Sequence, residues 1–421
     1  LQYSVEWHDD APNAALEERM TVADLAVWLG EQNVTLHLQN ETLADHLTIS
    51  LYGLAEALAH GWWVIFGGRD RPFSWIDHCS GYIVPDLCMA FDGAAFEISA
   101  RQRVLTNPSI RFWAGPTETM TRSAAEDLLG GFIDRVVGRL REGGLPATSA
   151  ALRWARVQAS RADLSETAFC EAAGALGLDP YQISDEGTAL IEDAGALFSG
   201  EALPEFLAGA VSGNRPQLIR WVQGVERRPP SMAKIGGLRP AAAEAALRAP
   251  EHLPDPSWAL GYRRARALRH VLGLGTGDRF RTFRALAEKL GASQSYRLAE
   301  RIDGLRAIRS DHADGIYIHM RSHGTSAEAH SQHLFSFARA VGDAVCFPAE
   351  SRAPINELRN AVRQAAGRAF AAEFLAPISE IRSMRADGRD TATIASEFGV
   401  STAVIDRQWE NRDRIEIVCS S

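Results

Sequence analysis

Lysine is nearly missing from this chain of 421 residues: Lys234 and Lys289 are the only two, and arginine supplies the other 42 of 44 basic side chains. We read that bias as the imprint of a GC-rich coding sequence. Cysteine is scarce too. Cys79, Cys88, Cys170, Cys346 and Cys419 make an odd set with no C-x-x-C pair, which excludes a disulfide scaffold and a cysteine-rich zinc module. The opening LQYSVEWHDD is acidic and carries no basic and apolar leader, so the expectation is a cytoplasmic protein. The most apolar stretch, 51–66, is interrupted by Glu56 and His60 and is too short to span a bilayer, so no membrane partner is expected. There is no G-x-x-x-x-G-K-[ST] phosphate loop, no G-x-S-x-G elbow and no His-Glu-x-x-His. With no motif that holds a prosthetic group, no cofactor is expected. Net basic charge is absent as well: the formal charge is -9, which argues against a general nucleic-acid coat.

What is present is an ordinary globular composition, 46% hydrophobic and 23% charged. Charge is unevenly distributed. Residues 1–100 hold 15 acidic and 3 basic side chains, whereas 201–300 hold 9 acidic and 16 basic. The second segment is therefore expected to face an acidic surface, either 1–100 of the same chain or a phosphate backbone. Its arginines concentrate on a helix opened by Asp255-Pro256, where Arg263, Arg264, Arg266 and Arg269 surround an apolar face.

The chain divides by pattern into three parts. Residues 1–145 read as a mixed α/β domain, with helical spacing over 22–29, 51–60 and 123–140 and strand-like runs at WWVIF, GYIVP and AAFEIS. Residues 146–275 read as helices. Residues 276–421 are mixed again: a hairpin over 304–321 with DHADG as its turn, helices over 334–345 and 355–374, and a pair of short helices over 391–411. The fold class expected is α+β.

Two groups of residues bear on chemistry. Five of twelve histidines fall in one stretch: His312, His319, His323, His330 and His333. Such a cluster is raw material for a metal site, although its spacing fixes no geometry. A metallohydrolase using some of His319, His323, His330, His333, Asp343 and Glu373 is therefore one expectation. The second group is TATIASEFGVSTAVIDRQWENR, where Ala395, Gly399 and Ile405 have the spacing of a helix-turn-helix over 391–412. A small residue lets the helices touch, a glycine permits the left-handed turn, and an isoleucine packs inward. Ser401 is expected to cap the second helix. Thr402, Arg407, Gln408 and Arg412 are the candidates for DNA contact.

From about 281 to 412 the order of segments FRALAEKLGA, DGIYIHM, FSFARAVGDAV, RAFAAEFLAP and FGVS resembles the ImmA/IrrE family of bacterial zinc metallopeptidases and regulators. The resemblance implies a metallopeptidase fold whose first long helix carries the zinc ligands. It places Arg339 and Asp343 at the two histidine positions, Ala340 at the catalytic glutamate, and Ala366 (or Ala365) at the third ligand. A zinc peptidase needs three protein ligands and a base, so the implied site is vacated. The resemblance therefore implies a non-catalytic regulatory or defence-associated protein, in settings such as phage defence or toxin–antitoxin pairs, that binds a protein partner and, as a second partner, DNA. A structural subunit of a larger assembly is the remaining expectation. Positions 339 and 343 share a helical face, which predicts an ion pair between them.

Overall fold

In the computed structural model the described residues are all but 9–14, 68–71, 92, 94, 103–109, 201, 210–216, 219, 221–233, 252–255, 276, 293–303, 322–323, 350, 358–361, 421 and the side chains of 418–420. The architecture is mixed, with helices outweighing antiparallel strands. The chain separates into two compact units, Leu1–Gly187 and Thr188–Ser421. The helical part expected over 146–275 is thus divided between them. Among the described residues no helix is long and apolar enough to cross a membrane.

The first unit has one sheet in which Val22–Leu29 pairs antiparallel with Gln2–Trp7, Gln32–Asn33 and Leu47–Ser50. A second sheet runs Thr117–Met120, Phe96–Arg101, Asp86–Phe91, Phe73–Ser74. The helix Tyr52–Ile65 lies at the centre and packs on Arg122–Glu142, Ser149–Arg161 and Leu164–Ala175. Three sequence expectations are corrected here, one being GYIVP, which is no strand but leads into the strand Asp86–Phe91. Residues 22–29 are a strand: six of the eight are buried, so the apolar residues follow burial on both faces, not a helical stripe. WWVIF is the end of the central helix, where Trp62 packs on Trp154 at 4.9 Å between ring centroids.

In the second unit the sheet order is Lys234–Ile235, Gly315–Met320, Leu305–His312, Arg352–Asn356. The middle two strands form the expected hairpin, in register from Ala307↔Met320 to His312↔Gly315. Ala327–Cys346 packs on this sheet and against Val362–Leu375. The stretch expected as one helix over 355–374 thus begins instead in the edge strand Arg352–Asn356. Ser257–Val271 lies against Val362–Leu375 so closely that a Cβ on Gly261 would sit 2.2 Å from the Ala366 carbonyl oxygen. Only glycine fits at such an approach. Pro256 is the N-cap of the Ser257–Val271 helix, and Asp255 lies outside the described residues.

The arginines of this helix do not spread over a solvated face. Arg264 donates to Val345 O at 2.9 Å and Arg269 to Phe374 O at 2.7 Å, both from buried positions. Arg266 pairs with Glu373 at 2.7 Å. Three of the four charges expected to meet an acidic surface are consumed inside their own unit. Two of them satisfy carbonyls at the ends of neighbouring helices, groups that have no intrahelical partner.

Candidate functional site

The helix Ala327–Cys346 is capped by Ser326, whose side chain accepts from Ala329 N. Leu334, Phe337, Ala338, Val341 and Val345 bury its apolar side. Arg339, Ala340 and Asp343 are buried too, and Ala366 faces the same interior from Val362–Leu375. None of the four presents a metal-ligand set. The expected Arg339–Asp343 ion pair does not form, because each side chain has better partners elsewhere.

Asp343 is held from two directions. Arg309 on the hairpin donates through Nε to Oδ2 at 2.7 Å. Arg363 donates through Nη2 to Oδ1 at 2.9 Å and Oδ2 at 3.0 Å, and through Nε to Oδ1 at 3.1 Å. Arg309 also reaches Asp311 at 2.6 Å and the Phe347 carbonyl. All three members of the triad are buried. The two carboxylates beside Arg309 raise its pKa despite burial. This is a charge-assisted lock joining sheet, long helix and the following helix.

Arg339 has a different environment. Its Nη2 donates to Gln364 Oε1 at 2.6 Å and to Asn356 O at 2.8 Å. Gln364 in turn donates to Glu205 Oε2 at 2.9 Å and to Pro354 O at 2.8 Å. Nε of Arg339 has no hydrogen-bond partner. Among the described residues no carboxylate lies within ion-pair distance of it. Burial, with Arg368 and Arg306 nearby, pushes its pKa well down, and Glu205 and Glu357 oppose that only weakly. A guanidinium nevertheless keeps its proton in proteins. Among the described residues Arg339 is thus a buried cation with no carboxylate in direct contact, and the Glu205 carboxylate is linked to it through Gln364.

The histidines do not converge. His319 is buried on the hairpin, its Nε2 without a partner; burial, with His312 and Arg352 nearby, lowers its pKa to about 4. His333 packs edge-on to Phe283, and His330 is exposed with Nδ1 against Ser326 O at 2.8 Å. His323 lies outside the described residues. Among the described residues no three His, Cys, Asp or Glu side chains are placed to hold a metal ion. Glu373 is occupied: it takes the Arg266 guanidinium, Gln408 Nε2 at 3.3 Å and the Ile378 N–H at 3.1 Å, the last opening the helix Ile378–Ala386.

The two short helices near the C-terminus are Thr391–Phe398 and Thr402–Glu410. Gly399 between them has φ 66°, and a Cβ there would meet the Arg281 backbone at 3.0 Å. Ala395 and Ile405 are buried. Ser401 is the N-cap by backbone conformation, but its hydroxyl makes no capping bond. Of the candidates for DNA contact, Thr402 and Arg407 are exposed. Arg412 is half-buried, with its guanidinium 4.9 Å from the Trp409 ring centroid. Gln408 is corrected. It is 1% exposed, accepts from Tyr262 Oη at 2.5 Å and donates to Ala376 O at 3.1 Å, so it belongs to the interior.

Two cavities open along this part of the second unit. One, of about 320 Å³, is lined by Arg306, Arg339, Arg368 and Glu357 together with small polar side chains. The other, of about 510 Å³, has Trp258, Tyr262, Ala365 and Ala369 in its wall and Arg407 and Arg414 on its border. Phe335, Arg368 and Val404 line both.

The first unit holds one arrangement that resembles a nucleophile with its base. In an open cavity of about 880 Å³, His60 Nε2 lies 3.0 Å from Ser149 Oγ. Arg153 Nε, however, donates to His60 Nδ1 at 3.2 Å. Nδ1 must then be the acceptor, so the neutral ring carries its proton on Nε2 and donates it to Ser149. That polarity is the reverse of what a general base needs. Burial and Arg153 also lower the His60 pKa, which keeps the ring neutral.

In comparisons with known proteins, the chain matches no family model, no curated protein and no solved structure.

The residues missed by sequence reading are Arg309, Arg363, Gln364, Asn356 and Glu205. No local signal marks Arg309: LRAIRSDH does not alternate, and residues 307–310 are buried in succession because the strand is covered on both faces.

Proposed function

We propose that this chain is a non-catalytic, ImmA/IrrE-like bacterial regulatory protein that acts by binding, with a protein as its main partner. The observation that carries this reading is the occupation of the vacated ligand positions. Asp343 is fully engaged by Arg309 and Arg363, and Arg339 is tied through its Nη2 to Gln364 and Asn356. A metal entering there would have to displace buried ion pairs and then find no third ligand at Ala366. The site's polar groups serve the fold, which is what remains useful when a hydrolytic site is lost. Metal analysis of the purified protein tests this: no stoichiometric metal is expected, and one zinc or manganese per chain would overturn it.

DNA is the second reading, favoured by the exposure of Thr402 and Arg407 on the helix that follows the Gly399 turn. The interleaved Asp406, Glu410 and Asp413 reduce its charge. A gel-shift series against salt measures it, because phosphate contacts give a steep salt dependence.

A further inference from the structure

The larger of the two cavities in the second unit, about 510 Å³, has the size of a site that encloses a small ligand, roughly 300–1,000 Å³. It is left open by side-chain size. Ala365, Ala369 and Ala372 stand i, i+4 and i+7 on one face of Val362–Leu375, and a methyl group from each is all that this helix puts into the space.

The inner wall suits an apolar body. Trp258 and Tyr262 stand edge-to-face at 5.9 Å between ring centroids, and Phe335 and Val404 are half-buried on the same wall. The polar groups behind them are already in use. Tyr262 Oη donates its proton to Gln408 Oε1 at 2.5 Å, and Gln408 Nε2 donates to Ala376 O at 3.1 Å and to Glu373 Oε2 at 3.3 Å. A ligand entering here meets ring surface and aliphatic carbon, and aromatic rings gain most from such offset and edge contacts.

The mouth has the opposite chemistry. Arg407 and Arg414 are exposed on its border, and among the described residues neither forms an ion pair. Arg368 lines the wall as well but has interactions of its own, so the argument rests on the other two. No carboxylate lines the cavity among the described residues. The acidic side chains nearest in sequence point to other groups. Asp406 accepts from Thr391 Oγ1 at 3.1 Å, and Asp413 faces Arg382 at 3.5 Å and Arg412 at 3.6 Å. Glu410 is exposed and forms no part of the wall. Guanidinium forks match a carboxylate, and a singly charged head held at an exposed border keeps most of its water.

We infer that this cavity binds a small aromatic carboxylate, its ring against Trp258 and the alanine face and its carboxylate at Arg407 and Arg414. Nothing in this site depends on the chain's being ImmA/IrrE-like. A DNA backbone would use the same two guanidinium groups but leave the apolar cavity behind them empty.

Isothermal titration of the full chain with naphthylacetate, and with naphthylethanol as its neutral counterpart, tests this. Naphthylacetate should bind saturably, one per chain, and roughly three- to thirty-fold more tightly than naphthylethanol, the range for two exposed charge contacts. Arg407→Gln with Arg414→Gln, both at exposed positions, should erase that difference and leave naphthylethanol unaffected. Ala365→Leu puts a larger side chain into the cavity and should weaken both ligands at least about ten-fold without lowering the melting temperature. Should that variant melt lower, Ala403→Leu, at an exposed position on the wall, replaces it. Naphthylacetate that fails to bind at millimolar concentration overturns the inference, as does an affinity indifferent to the arginine pair or to the leucine variant. If the arginine pair abolishes a duplex-DNA gel shift and leaves naphthylacetate untouched, the two guanidinium groups belong to a DNA face and the inference falls equally.

Discussion

Replacing Asp343 by alanine should cost more than any other single truncation on the long helix. The carboxylate receives Arg309 from the hairpin and both nitrogens of the Arg363 fork, all at 2.7–3.1 Å and all buried. Without it Arg363 loses its three bonds to Asp343, and Arg309 keeps Asp311 and the Phe347 carbonyl. Removing one member of a buried ion pair costs about 3–5 kcal/mol, because the remaining charge stays desolvated. Against a typical domain stability of about 5–15 kcal/mol, that is a large share. Amide hydrogen exchange read by mass spectrometry over Ala327–Cys346 gives a local measure in the second unit. Protection there should fall by roughly two to four orders of magnitude. Asp311→Asn, which removes the more exposed partner, should cost at most about 1 kcal/mol. Replacing the network together, Asp343→Leu with Arg309→Met, Arg363→Met and Asp311→Asn, should recover most of the loss, since neither Asp343 nor Asp311 is then left as a carboxylate without Arg309. A fall in protection below ten-fold for Asp343→Ala, equal to that of Asp311→Asn, would refute the picture of a buried lock.

Acid should weaken the second unit through His319. Its folded pKa of about 4 lies below the usual 6.5, so the unfolded chain binds the proton first; stability is complete above pH 6.5 and is lost as pH falls from there to 4. The loss amounts to about 3 kcal/mol, and His319→Leu should flatten that limb of a urea-stability profile against pH. Gly261→Ala should destabilise by about 1–3 kcal/mol in thermal melts, because the obstructing atoms are the Ala366 carbonyl and the Phe370 amide, neither of which can swing aside. The triple variant Arg339→His, Ala340→Glu, Asp343→His should show no zinc-dependent peptide hydrolysis, since Ala366 still supplies no third ligand; turnover by that variant would contradict the account of the vacated site. If the second helix contacts DNA, Arg407→Glu with Arg412→Glu should weaken a gel shift by a few kcal/mol and reduce its salt slope.

Local pattern carried the hairpin, the helix Arg122–Glu142 and the left-handed turn at Gly399, because each depends on residues close in the chain. It failed at 22–29, where a strand buried on both faces has the apolar spacing of a helix by accident. At the candidate site it found Arg339 and Asp343 but paired them wrongly. The i,i+4 rule describes an exposed helix surface, and here partners from 17 to 34 residues away take over. Burial of Arg264, Arg269 and Gln408 was likewise hidden, since such residues are mostly exposed and nothing local marks the exceptions. The two cavities are formed by helices distant in sequence and leave no contiguous motif.

The arginine bias has a consequence for titration at the alkaline end. The buried donors that close helix ends and hold Asp343 are guanidinium groups throughout: Arg264, Arg269, Arg309 and Arg363. A lysine in such places sheds its proton readily when desolvated, whereas a guanidinium does not. Raising the pH toward 11 therefore leaves every one of these internal contacts charged. Arg→Lys exchange at these four positions, although it preserves charge in dilute solution, replaces a planar fork by a single ammonium. It should introduce an alkaline unfolding limb that the native chain lacks at these contacts.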